Sequence, residues 1–568
     1  LEISSARNSP QALHRGRGSF GWRALMLLTA CLIAVPVLVI VASLFQGFSP
    51  VWQHLLETVL QDYVVNSLLL MLGVGVGTLV LGVSAAWLTA MCEFPGRKLF
   101  NWALLLPMAM PAYIIAYTYT GMLDFSGPVQ SALRAQFGWG FGDYYFPEIR
   151  SLGGAICMLS LVLYPYVYLL VRVAFSEQST AVLEASRSLG KGPWKTLFLV
   201  GLPMARPAIV AGISLALMET LADFGTVDYF GVSVFTTGIF RTWYGLGELQ
   251  TAAQLAAFLL LFVFVLFTLE QYSRRRLRFH HNSAQQKPSR IELQGWRGWC
   301  ACALPLVIVT AGFALPAVQL ATWASSRVGE TDTAEFLTLV GSSFTLAAIA
   351  SVCCLVIALL LGYGKRLHPG QLEHQAARVS SMGYAIPGTV IAVGVLIPFA
   401  WMDNRVDALM REHFDISTGL LLSGTLVALV FAYVVRFLAV SLQTVESGLA
   451  RIRPSIDESA RSLGKGPLQV LHRIHLPMLR GSLATALLLV FVDVLKELPT
   501  TLILRPFNFN TLAVRTYELA SDERLADAAL PALAIVLIGL LPVILMTRIS
   551  SAATPYSSVR TQSQEGLP

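Results

Sequence analysis

Glu184-Ala185-Ser186-Arg187-Ser188-Leu189-Gly190-Lys191-Gly192-Pro193 returns 274 positions later as Glu458-Ser459-Ala460-Arg461-Ser462-Leu463-Gly464-Lys465-Gly466-Pro467. Leu202-Pro203-Met204 returns at the same offset as Leu476-Pro477-Met478. A polar string kept this closely while the apolar sequence around it drifts marks a duplicated unit. Weaker echoes accompany it: Pro111 with its apolar continuation resembles Pro387, and Tyr166-Val167 resembles Tyr433-Val434. Residues 181–189 have helix-forming composition, and Gly190 supplies the backbone freedom that ends a helix sharply. In the second copy Ser455 stands three residues before Glu458 with Pro454 just ahead, the spacing of a capping box. Each copy therefore reads as a short helix, a glycine turn and a second helical stretch that ends at Leu-Pro.

The chain around these loops is built for a membrane. Of its 568 residues 55% are hydrophobic and 13% charged, against about 45–50% and 25% in soluble domains. Apolar runs long enough to cross a hydrocarbon core of about 30 Å recur along the whole length. Twelve are expected, the first at 24–46 and the last at 526–547, with 100–121, 379–402, 418–441 and 480–501 among them. The first follows basic residues, as a signal peptide would, but is longer than a signal core of about 7–15 residues and is read as retained. An even number of spans per repeat places both copies the same way up, with a pseudo-twofold axis along the membrane normal. The expectation is thus an all-α polytopic membrane protein of two parallel six-helix repeats at 24–270 and 299–548. A cytoplasmic segment 1–23, a basic linker 271–298 and a tail 549–568 complete it. Most of the 40 Lys/Arg fall in alternate connecting segments, which puts both termini in the cytoplasm. The net charge of +7 is then a topological signal and not a nucleic-acid patch. The seven cysteines form no CxxC pair and read as small packing residues, Cys353 and Cys354 included.

Charges also stand inside the spans that follow the two loops, where each costs about 2.5–3.5 kcal/mol on the insertion scale. Glu219 and Asp223 in the first half correspond to Asp493 and Glu497 in the second, and Lys496 has Ala222 as its counterpart. Acids four residues apart share a helical face, so these residues read as a polar strip along a shared pathway. Four acids against one base leave room for a cation. The structural alternative is that Lys496 neutralises an acid locally and Asp223 is satisfied by backbone groups. Tyr113, Tyr164, Tyr166 and Tyr433 lie in neighbouring spans as possible oxygen donors. His472 and His475 have Phe198 and Gly201 as counterparts and read as solvated loop residues, as do His280 and His281.

The Glu-Ala-Ser string with Gly190 four residues on, and its copy, resemble the cytoplasmic signature of inner-membrane permeases of binding-protein-dependent ABC importers. The resemblance implies that Glu184, Ala185, Gly190, Glu458, Ser459 and Gly464 dock two copies of a separate ATPase. Ser186 and Ser459 depart from the family's Ala, but both are small. Lys191 and Lys465 lack the flanking Gly and Ser/Thr of a phosphate-cradling loop, so ATP is assigned to the partner and no cofactor or catalytic residue to this chain. The strings Glu219 to Val227 and Lys496 to Thr501, with Arg505-Pro506-Phe507-Asn508, resemble ferric-iron permeases. That implies Fe3+ as the transported substrate, a periplasmic iron-binding protein as partner, and an inner-membrane location amid lipid. Hard carboxylates suit a hard trivalent cation, and Asp223 and Glu497 are the residues offered to the metal. Thiamine, sulfate, phosphate and polyamine permeases share the docking signature, and a twelve-span secondary transporter is the other mechanism. No HExxH, nucleophile elbow or dinucleotide fingerprint points to an enzyme.

Overall fold

The computed structural model describes residues 18–140, 142–177, 188, 192–275, 290–330 and 332–552. Among these, ten helices are long and apolar enough to cross a membrane, or up to twelve if each of two sharply bent pairs is one span. The first half contains α1 (Gly18–Ser43), α2 (Leu60–Met91), α3 (Ala112–Leu123), α4 (Leu152–Ser176), α5 (Leu202–Ala222), α6 (Gly225–Tyr229) and α7 (Leu249–Arg275). The second contains α8 (Leu315–Arg327), α9 (Thr333–Leu367), α10 (Gly388–Phe414), α11 (Leu426–Ala450), α12 (Pro454–Ser462), α13 (Arg480–Leu495), α14 (Pro499–Leu504) and α15 (Leu525–Ala552).

The duplication is visible in local structure. Ser151 accepts from Gly154 N–H at the start of α4, and Thr425 accepts from Val427 N–H at the start of α11. These caps set the register of the two helices 274 residues apart, so Tyr433 corresponds to Leu159. The Tyr166-Val167 echo of Tyr433-Val434 is therefore out of register and carries no symmetry.

The third span of each half differs from expectation. The expected span at 100–121 is broken: a short helix Arg97–Ala103 and a 3-10 turn lead to Met110 in extended conformation, then to Pro111 and α3. The two arms bend by 91°. In the second half the same break falls at Ile386 and Pro387. A proline disfavours the helical region for the residue before it and supplies no N–H to the turn. Span 379–402 is accordingly displaced to Gly388–Phe414, and span 418–441 to Leu426–Ala450. Hydropathy misplaced the end of α10 because the buried Asp403 lies within it. That carboxylate accepts from the backbone N–H of Leu421, Leu422 and Ser423, pinning the returning loop to the helix. Span 480–501 also breaks, since α13 stops at Leu495 before α14 begins at Pro499.

Each half lends its first helix to the other. Helix α1 packs on α10 and on the helix Gln371–Ser380, and a side chain at Gly394 would lie 2.5 Å from the Pro36 carbonyl. Only glycine lets the two backbones meet there. Reciprocally, Tyr119 donates from its hydroxyl to Ala311 O at 2.6 Å, joining α3 to the segment that leads into α8. Cys354 is fully buried on α9 beside Ala350 and Ala358, the packing role expected of it.

Candidate functional site: a charged cavity between the halves

The breaks after α5 and α13 place the duplicated acids. Helix α5 ends at Ala222, and Asp223 is extended before α6 begins. Its carboxylate accepts from Thr226 N–H at 3.2 Å, Thr226 Oγ1 at 2.9 Å and Val227 N–H at 3.2 Å. Glu497 holds the equivalent place before α14. Its Oε1 accepts from Thr500 N–H at 3.1 Å and Thr500 Oγ1 at 2.6 Å, and its Oε2 from Thr501 N–H and Oγ1, both at 3.1 Å. A negative side chain there satisfies N–H groups that the first helical turn leaves unpaired and suits the positive end of the helix dipole. The backbone-satisfied alternative for Asp223 is thus realised, and in both halves.

All five strip residues, Glu219, Asp223, Asp493, Lys496 and Glu497, line one cavity of about 150 Å³ between the halves. Two bases face them, not one. Arg436 on α11 reaches Glu497 Oε1 at 3.2 Å, with side-chain exposures of 11% and 3%. Lys496 reaches Asp493 Oδ1 at 2.9 Å. Arg436 lies within a span, but nothing along its own helix ties it to the strip: the one acid that shares α11, Glu446, lies ten residues on and pairs with Lys365. Glu219 and Asp223 are in no ion pair among the described residues, so the cavity holds a formal excess of two negative charges. Tyr113 and Tyr166 line it, joined by Tyr384, which the sequence did not single out. Tyr164 instead donates to Leu104 O and Tyr433 bonds Thr501 Oγ1, both away from the cavity lining. The lone pairs of Asp223 and Glu497 are engaged in capping. No group of three or more His, Cys, Asp or Glu positioned to hold a metal ion occurs among the described residues.

The second copy of the repeated loop forms the expected short helix, α12, with Glu458 and Ser459 exposed. The Ser455–Glu458 capping box is not formed: Arg453 is the N-cap, and Pro454 starts the helix where a missing N–H costs nothing. At the other end Gly464 adopts φ 72°, and Lys465 N–H donates back to Ala460 O at 3.1 Å. Leu463 and Leu468 beside this turn are 76% and 66% exposed, an apolar tip on a polar helix. His472 is exposed as expected, whereas His475 is fully buried, its Nε2 2.6 Å from Asp457 Oδ1. The solvated reading of His475 fails because helical wrapping after α12 turns it inward under Tyr363. Glu184, Ala185, Gly190 and both linker histidines, His280 and His281, lie outside the described residues.

Residues 78–279 and 354–555 each match the family described as binding-protein-dependent transport system inner membrane component. Over 94% of this chain and 99% of its own length, the Fe(3+)-transport system permease protein FbpB 2 of Haemophilus influenzae is 25% identical. A putative ferric transport system permease, FbpB 1 of the same organism, is 24% identical over 82% of this chain and 75% of its own. The molybdenum transport system permease protein ModB of Escherichia coli is 29% identical, over only 27% of this chain and 64% of its own. Two copies of one family unit, with ten to twelve membrane-long helices among the described residues, make this protein a fused two-repeat, multi-pass permease subunit that belongs to the binding-protein-dependent transport system inner membrane components.

Proposed function

We propose that this chain is the translocating subunit of an ATP-driven importer of ferric iron. Iron would be handed over by a binding protein at the outer face, and two copies of a separate ATPase would dock on 181–190 and 454–464 with both termini in the cytoplasm. The observation that carries the cation reading is the cavity between the halves, where four carboxylates outnumber two bases. An oxyanion substrate would call for the opposite balance, since a site of one sign concentrates the other. The near full-length ferric-permease relatives support iron among the cations. Asp223 and Glu497 act as charged hinges that fix the short helices α6 and α14, and Glu219 and Asp223 supply the unneutralised field. Closure of the ATPase dimer would draw the two docking segments together, part the halves toward the binding protein, and reset on hydrolysis.

The test is uptake of labelled Fe3+ into proteoliposomes holding this chain, its ATPase and its loaded binding protein. Uptake that requires ATP and falls at least tenfold in Glu219→Gln with Asp223→Asn is expected. Transport of a different solute with none of iron would overturn the substrate while leaving the importer.

A further inference from the structure

The second half holds its short helix α12 with a set of ionic side chains that has no ionisable counterpart in the first half's sequence. In the second half, Asp457 on α12 sits at the centre of a polar clamp. Its Oδ2 accepts from Arg366 Nε at 2.7 Å, at the end of α9, and its Oδ1 lies 2.6 Å from His475 Nε2. Arg366 spends its remaining N–H groups on the Leu449 carbonyl and, at 2.9 Å, on the Ile452 carbonyl, both where α11 leads into α12. His475 packs edge-on against Tyr363, whose hydroxyl donates to Pro467 O at 2.8 Å. One carboxylate thereby joins the docking helix to α9, to the end of α11 and to the stretch entering α13. Charge-assisted bonds of this kind are shorter and stronger than neutral ones, and the remaining guanidinium bonds to backbone carbonyls hold Arg366 in place.

The described part of the first half has the same frame. Its π-helical turn Leu197–Gly201 matches Leu471–His475 in register. Trp87 occupies the place of Tyr363, standing four residues before the end of α2 as Tyr363 does before the end of α9. There Trp87 packs edge-on to Phe175 and lies against Gly201, so an indole fills the volume that His475 takes in the other half. Ala90, Leu183 and Gly201 stand where Arg366, Asp457 and His475 stand. None of those three side chains can make the ionic links.

We propose that Asp457, Arg366 and His475 are positioning residues that rigidly transmit motion of the second docking helix to the spans. The inference rests on the importer reading for its partner but not on iron as the solute. Two readouts test it on the full chain. In proteoliposomes with ATPase and loaded binding protein, Asp457→Asn and His475→Phe should raise the ATP hydrolysed per solute imported about tenfold. His475→Gln, which keeps an N–H donor, should stay within twofold. In the chain without its partners, amide exchange of 454–462 should accelerate about tenfold in Asp457→Asn and remain as wild type in Leu183→Asn. The exchange measurement needs no transport, so a failed iron assignment and a failed clamp are separable. An unchanged ratio in Asp457→Asn overturns the proposal. So does an equal rise in His475→Gln, or loss of ATPase co-purification in Asp457→Asn, which would make the clamp part of the docking surface itself.

Discussion

At Glu497 a carboxylate of 3% side-chain exposure is surrounded by donors from Thr500, Thr501 and Arg436, whereas Asp223 has the capping donors alone. The same role in two settings gives different expected costs. In Glu497→Gln the charge is lost and Arg436 is left buried without its partner, a change worth about 3 kcal/mol or more. Thermal unfolding in detergent should show a clear fall in midpoint. In Asp223→Asn the amide oxygen still caps α6, and Asn is as good a cap as Asp, so stability should change by less than about 1 kcal/mol. Iron uptake should nevertheless drop several-fold, because one of the two unneutralised charges is gone. An Asp223→Asn chain that transports at the wild-type rate would assign Asp223 to structure only. The spacing of the acids and their duplication were readable in the sequence. Their use as helix caps was not, because it depends on α5 and α13 stopping where they do.

Among elements, α12 shows how one residue sets the turn that the proposed docking would use. Gly464 holds φ 72°, with nothing within 4 Å of where a side-chain carbon would stand. Gly464→Ala therefore meets no clash, only the left-handed backbone cost of about 1–2 kcal/mol. The turn that presents Leu463 and Leu468 should fray, and titration of the ATPase against the reconstituted chain should show affinity weakened by about fivefold or more. Unchanged affinity would place docking elsewhere on the loop. The short helix and its glycine stop were legible because composition and φ preference are local. The broken third spans were half legible: Pro111 and Pro387 stood out as an echo, but an apolar window does not register a 91° bend. The hydrophobic signal runs straight through it.

For the whole molecule, the face opposite α12 is held shut by contacts between halves. Arg150 pairs with Glu523 at 2.6 Å, Tyr517 donates to Asp228, and Tyr244 donates to Leu502 O at 3.1 Å. Exposed pairs such as Arg150–Glu523 contribute about 0–1 kcal/mol, so the more buried Tyr517–Asp228 link should dominate. Tyr517→Phe with Arg150→Ala should open the outer face without the binding protein. A membrane-impermeant thiol reagent should then label Phe224→Cys, buried at 1% exposure in this state, at least tenfold faster. Equal labelling with and without the two substitutions would show that other contacts keep the face closed.

The sequence by itself determined the class of solvent, the duplication, the short helix α12 and the duplicated acids. Each of these depends on composition or on residues near one another along the chain. Tertiary structure decided the rest. It brought Arg436 and Tyr384 to the acids, exchanged the first helices between halves, and turned His475 beneath Tyr363 onto Asp457. These depend on contacts between residues tens to hundreds of positions apart, where a side chain's partner is fixed by how helices cross and not by any periodicity along one of them.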